Sequence, residues 1–474
     1  MAFRVKKQFA VSQPPKISAT DDCPEAAPTS STCGSRSKLG ICAEDLMRET
    51  QGVLTMNTSI RSNSTYERRA ITLLALGFGL VGLDRWLITP LFPQIMRDLG
   101  LTYQDLGNVT AVLGLAWGVS AILMGRLSDT IGRRKILIPA IILFSLLSGS
   151  TGLVGGVALL MTTRVLMGVT EGAYCPASFA AGDDASPAVR RGLNLGIIQG
   201  CFALFGLGLG PIIATQLLSV VPSWRIVFAI VAAPGLLLAF LMYRTIREPT
   251  HLAPAKSSER APHRESWSSV LRYGNVRVCM GAIFCAMAGL FVLAAITPVY
   301  LTDLRHMSTA QMGFVMSGLG FGGFAGQICV CGISDSIGRR NAAKITFLAG
   351  CASLLAFAYA PTIPAVLFVL LFAIAFFCCG AISLMAGPVA AEAVPSLLTS
   401  SAVGAVVGAG EIFGGGVAPA IAGFIAQHMG LQFTILFASA ALGTGFLLSF
   451  LLRETAPGKR GEAATHESLT AQNN

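Results

Sequence analysis

The strongest constraint on this chain is a succession of apolar runs, each about 20 residues long and so able to cross a bilayer, separated by short charged loops. They read at roughly 70–91, 105–125, 136–154, 156–181, 193–218 and 225–243, then at 278–301, 309–330, 342–360, 363–388, 401–425 and 428–452. Hydrocarbon offers the backbone no hydrogen-bond partner, so segments that span it close their bonds internally, as helices. An all-α membrane protein of about twelve transmembrane helices is expected. Only 12% of the 474 residues are charged, against roughly 25% in soluble domains, as suits a chain whose solvent is mostly lipid.

One loop is written twice. Gly125-Arg-Leu-Ser-Asp-Thr-Ile-Gly-Arg-Arg134 returns about half a chain later as Cys331-Gly-Ile-Ser-Asp-Ser-Ile-Gly-Arg-Arg340, each copy between two apolar runs. A similar shift lays Pro187 on Pro395, Gly196 on Gly404, Gly200 on Gly408, Phe205 on Phe413 and Pro211 on Pro419 without a gap. Matched glycines and prolines at a constant offset predict two pseudo-symmetric six-helix halves, which in membrane proteins face each other across a substrate path.

Lysine and arginine fix the expected orientation, because they collect on the cytoplasmic side. Arg126, Arg133, Arg134 and Lys135, then Arg190 and Arg191, then Arg244, Arg247, Lys256, Arg260, Arg264 and Arg272, then Arg339, Arg340 and Lys344 occupy alternate loops. Both termini are therefore expected in the cytoplasm of a multi-pass protein of the inner (plasma) membrane. This bias accounts for the net charge of +10, so no nucleic-acid partner is read from it. The expected divisions are a disordered cytoplasmic tail over 1–68, halves over 69–243 and 277–453 joined by a basic cytoplasmic loop over 244–276, and a polar tail over 454–474. The stretch from Met56 reads as an ordinary lead into the first helix, so translation starting there and a genuine longer tail are both open. Most of the twelve cysteines fall inside the apolar runs, where they act as small apolar residues; no metal-spaced set occurs, and no metal or cofactor is expected.

These residues resemble the major facilitator superfamily over about 68–453. Its signature between the second and third helices, roughly G-x-L-x-D-x-x-G-R-R/K, stands here as Gly125, Leu127, Asp129, Gly132, Arg133 and Arg134, with an echo at Asp335, Gly338, Arg339 and Arg340. The resemblance implies the major facilitator fold and a gating role for both loops, with Asp129 pairing with loop arginines or a helix N-terminus when one side is shut. Plain topology signalling is the alternative. Gly132 permits a tight turn.

Charges inside the runs point to the site. Asp84 and Arg85 lie in the first, Arg164 and Glu171 in the fourth, and Glu411 in the eleventh. Each costs roughly 2.5–3.5 kcal/mol at mid-bilayer, so each needs a cavity or a partner. Arg164 and Glu171 lie two turns apart on one helical face, and Asp84, Arg85 and Glu171 fall at a common depth. The Asp-Arg pair followed by P-x-x-P-Q-I-x-x-D-L-G-L, together with R-x-x-x-G-x-x-E-G, is similar to the anion:cation symporter family. That resemblance implies import of a small organic anion, a carboxylate such as a sugar acid or aromatic acid, together with protons. It implies Arg85 as the cation meeting the substrate and Asp84 and Glu171 as protonatable groups. An anion that occupies the arginine deprives a carboxylate of its partner, so anion and proton bind cooperatively. A permanent salt bridge from Arg85 or Arg164 to Glu171 is the competing reading. Glu411, with no counterpart in the first half, is a further proton site, a group for a substrate hydroxyl or a structural acid. Arg164, Tyr174 and Gln199 complete the expected substrate site.

The fifth run carries Gly206 and Gly210-Pro211 but has Ala214 and Thr215 where antiporters of the superfamily tend to have glycines. This favours import over the alternative, a proton-driven exporter of drugs or metabolites. With no catalytic triad and no G-x-x-x-x-G-K-S/T loop, the chain reads as a non-enzymatic secondary transporter, a monomer in lipid.

Overall fold

A computed structural model describes residues 64–187, 190–247, 267–395 and 398–456. The expectations for residues 1–63, for most of the central loop and for most of the final tail lie outside them. Residues 125, 126, 129 and 130 are described as helical backbone only, so the contacts expected of Asp129 also lie outside the described residues.

Twelve long helices follow one another among the described residues. In the first half they are α1 (Ser64–Leu99), α2 (Tyr103–Ile131), α3 (Arg133–Thr151), α4 (Val157–Ala185), α5 (Arg191–Val220) and α6 (Trp224–Thr245). In the second they are α7 (Gly274–Leu304), α8 (Thr309–Ile337), α9 (Arg339–Tyr359), α10 (Pro364–Glu392), α11 (Ser401–His428) and α12 (Leu431–Ser449). Among the described residues eleven are both long and apolar enough to cross a membrane. The exception is α4, which has ample length at 29 residues but carries Arg164 and Glu171. Side chains such as Leu123, Leu237, Val369 and Leu447 are more than 60% exposed, as lipid-facing helices require.

The repeat is visible in local chemistry. α2 opens with a capping box in which the Thr102 hydroxyl accepts from Asp105 N and the Asp105 carboxylate accepts from Thr102 N. α8 opens the same way with Ser308 and Gln311. Both helices stop at a glycine with positive φ, 109° at Gly132 and 92° at Gly338, a conformation in which a Cβ is strained. Arg133 pairs with Asp184 at 2.7 Å and Arg134 donates to the Tyr243 carbonyl at 2.6 Å. In the second half Arg339 pairs with Asp335 at 2.7 Å and Glu392 at 3.0 Å, while Arg340 donates to the Phe450 carbonyl at 2.9 Å. These ties run within each half rather than across the interface.

Two glycine-rich seams join the halves. Along α2 and α11, a Cβ on Gly107 would lie 2.5 Å from the Pro419 carbonyl, and one on Gly114 2.5 Å from the Gly415 carbonyl. Along α5 and α8, Gly208 and Gly320 meet backbone to backbone. Only small residues allow such approach. One or two turns on, the seams part. Gly192 and Gly196 lie on the same face of α5 as Gly200, yet nothing lies within 4 Å of a Cβ at either, nor at Gly332 or Gly404. The halves are thus closed at the end holding Tyr103 and Gln427, whose side-chain Oε1 accepts from Tyr103 N. They are parted at the end holding the repeated arginine loops.

Candidate functional site

Proline sets the position of the first charged pair. Pro90 has no N–H for the Trp86 carbonyl, and the Thr89 hydroxyl donates to that carbonyl instead, at 2.9 Å. The helix breaks at Leu87, so Asp84, Arg85 and Trp86 occupy the last turn before a kink. In α11 the backbone widens to π-helical spacing over Gly410–Val417, one turn before Pro419. The repeat-related stretch of α5 widens likewise over Leu204–Leu209, before Pro211. Such widened turns mark functional positions in many helices, and here one carries Glu411.

Arg85 and Glu411 form an ion pair across the two halves, Nη2 to Oε2 at 3.0 Å. Both residues are 5% exposed. The guanidinium lies 4.9 Å from the Phe291 ring centre, 5.5 Å from Trp86 and 5.7 Å from Trp117, within cation–π range of all three. Gly415 makes the pairing possible: a Cβ there would lie 2.8 Å from Glu411 Oε2 and 3.2 Å from Arg85 Nη2. Asp84 turns away from its neighbour, and its Oδ1 accepts from the Ser148 hydroxyl at 2.8 Å. Arg164 Nη1 donates to the Asp84 carbonyl at 3.3 Å. The charges acting on Glu171 are those of Asp84, Arg85 and Arg164.

Several buried polar atoms here have no hydrogen-bond partner among the described residues: Arg85 Nη1, Arg164 Nε and Nη2, both Glu171 oxygens, and the indole nitrogens of Trp86 and Trp117. Buried polar groups are nearly always paired, so such a concentration makes this region the candidate site. A cavity with room for about one water molecule is lined by Arg85, Trp86, Ile88, Val109, Thr110, Leu113 and Arg164 of the first half and closed by Gly415 of the second.

The structure gathers Asp84, Arg85, Arg164, Glu171 and Glu411 into one region. Tyr174 does not face this cluster; it is buried inside the first half, edge-on to Phe144, with its hydroxyl donating to the Leu74 carbonyl at 3.4 Å. The salt bridge to Glu171 of the competing reading is not formed, since Arg85 takes Glu411 as its partner and both Glu171 oxygens are unpaired. Gln199 is partly buried on α5 and makes no described contact with the charged residues. Ser148 and Phe291 carried no signal in the sequence, because an isolated serine or phenylalanine in an apolar run is unremarkable.

The family model described as Major Facilitator Superfamily matches residues 74–406 and 280–472. A probable 4-methylmuconolactone transporter of Cupriavidus pinatubonensis is 27% identical over 398 residues, 82% of this chain and 89% of that protein. A hexuronate transporter of Bacillus subtilis is 26% identical over 267 residues, 55% of this chain and 63% of that one. The quinolone resistance protein NorA of Staphylococcus aureus is 27% identical over 265 residues, 54% and 63% of the two chains. A bacterial homologue of the human lysosomal transporter Spinster superposes with a TM-score of 0.66 at 18% identity, covering 81% of this chain and 97% of the other, which shows a common fold. With the model matching most of the chain, this protein belongs to the Major Facilitator Superfamily and is a membrane transporter, not an enzyme.

Proposed function

We propose that the protein imports a small organic carboxylate together with protons, by alternating access of its two halves around Arg85 and Arg164. The carrying observation is the pair of buried guanidinium groups beside the cavity, with three of their nitrogens unpartnered. A carboxylate is the ligand that a guanidinium fork satisfies best. The remaining lining (Trp86, Ile88, Val109, Leu113) is apolar, and the Thr110 hydroxyl already donates to its own helix. An anion with a compact, unsaturated body fits such walls better than one bearing many hydroxyls, whose buried polar groups would go unpaired.

Proton coupling follows from the charge count. Asp84, Glu171 and Glu411 face Arg85 and Arg164, so full ionisation leaves one uncompensated negative charge in a buried region, and a proton on one carboxyl removes it. Asp84 and Glu171 are assigned as proton carriers, and the parted end with the arginine loops is assigned to the cytoplasm of the plasma membrane.

Reconstituted vesicles test this reading with 4-methylmuconolactone, glucuronate and benzoate as probes. Accumulation under an inward proton gradient, with counterflow when the gradient is collapsed, is the expected result. Proton-driven extrusion would instead establish the export reading that similarity to NorA favours.

A further inference from the structure

We propose that Glu411 is a built-in rival of the substrate: its carboxylate holds Arg85 while no anion is bound and gives up that place, taking a proton, when one arrives. The inference rests on the reading of Arg85 as the anion site. Three observations carry it. Arg85, which lines the cavity, already bonds a carboxylate in the intended manner, at 3.0 Å. That carboxylate comes from the opposite half and has no counterpart at the repeat-related position, Ala203, so pseudo-symmetric packing does not require it. The adjoining cavity holds about one water, too little for a second carboxylate, and only Nη1 of the Arg85 fork is unpartnered, so an incoming anion grips both ends of the fork only by taking the place of Glu411.

Among the described residues no other carboxylate bonds Arg85. Of the elements against Glu411, α1 presents Arg85 and α4 presents Cys175 and, beyond it, Glu171. The facing stretches of α2 and α7 present Gly114, Gly118, Phe284, Met287 and Phe291, none of which titrates. Cys175 faces both members of the pair.

The exchange keeps the buried charge constant. Before it, Arg85 is balanced by ionised Glu411; afterwards it is balanced by the anion, with the proton on a Glu411 oxygen. Anion without proton would bury a surplus negative charge, and proton without anion a surplus positive one. Both complete states are neutral across the interface, and the two half-loaded ones are not. Glu411 thus favours coupled movement of anion and proton over leak.

Binding of the three probes is measured by the fluorescence of Trp86 and Trp117 and by thermal shift in purified protein, from pH 5 to pH 8. In the wild type, affinity is expected to fall as pH rises, since deprotonated Glu411 competes and lowers the competent fraction. E411Q is expected to bind at least about tenfold more tightly than wild type at pH 8 and to lose most of the pH dependence. E411A removes the same carboxylate and replaces E411Q should that variant fail to fold. Weaker binding in E411Q or E411A, or unchanged affinity with unchanged pH dependence, overturns the rival role while leaving Arg85 as the anion site. Binding in R85A as tight as in wild type, or no binding of any probe to wild type, overturns the anion-site reading and the rival role with it.

Discussion

A guanidinium buried in a membrane bundle must be balanced, and Arg85 is balanced by three aromatic faces and a single carboxylate. Replacing it by alanine removes the anion's partner and strands Glu411, so two effects should appear together. Kd for a transported carboxylate should rise roughly a hundredfold or more, in line with about 2–5 kcal/mol for truncating a buried charge partner. Thermal stability should fall as well, since breaking a buried pair costs about 3–5 kcal/mol, and combining Arg85→Ala with Glu411→Ala should recover much of that loss. Titration by fluorescence and a melting curve separate the two. Glu171 differs because its oxygens have no bonding partner to lose. Glu171→Gln should keep counterflow near the wild-type rate and abolish accumulation under a proton gradient; equal loss of both would assign it to packing. Much of this site was legible beforehand, because ions in apolar runs are costly enough to stand out. Their pairing was not. Depth along a helix is readable from a sequence, whereas the face that each helix turns to the other half depends on packing. Tyr174 shows the same limit: one turn from Glu171, it points into the first half against Gly77 and Phe144.

At the scale of the helix, ends and kinks follow local rules that the sequence carries openly. Thr102 and Asp105, Ser308 and Gln311, Gly132 and Gly338 all occupy the positions their chemistry favours. Thr89 repairing the bond lost to Pro90 is less readable, because a threonine two residues from a kink has several uses. A longer-range cap was invisible. Glu454, past the end of α12, accepts from the backbone N–H groups of Arg339 at 2.8 Å and Arg340 at 3.2 Å, at the opening of α9. Burial alone would raise its pKa, but these bonds and those from Thr455 and Ala456 outweigh it and hold the carboxyl below its usual range. A depressed acid stabilises the fold above its unfolded pKa, and that contribution fades as pH falls through the folded value. Glu454→Gln should therefore lower the melting temperature at pH 7, and the gap to wild type should narrow below roughly pH 4.3, the ordinary glutamate value. Melting curves at pH 7 and pH 3.5 check both halves of the statement.

For the molecule as a whole, the repeat announced twelve helices in two halves, and the glycines matched between α5 and α11 turn out to describe where those halves meet. Whether a seam is shut or open was beyond the sequence, because the same glycine stripe serves either state. Gly107 and Gly114 sit against backbone of the other half, whereas Gly196 and Gly404 face open space. A transporter that works by alternating access must reverse this pattern during each cycle. Cysteine placed at Gly196 or Gly404 should react readily with a membrane-impermeant maleimide added to the open side, quantified residue by residue by mass spectrometry so that native thiols such as Cys329 do not confuse the count. A seam position also predicts its own mutant. Gly320→Leu would drive a side chain into Gly208 backbone, which neither rotamer change nor a small shift relieves. The variant should therefore disfavour the state described here, so that the engineered cysteine at Gly196 labels several-fold more slowly and steady-state transport falls, while binding from the opposite side persists. Unchanged labelling in Gly320→Leu would mean that the seams do not govern which end is open.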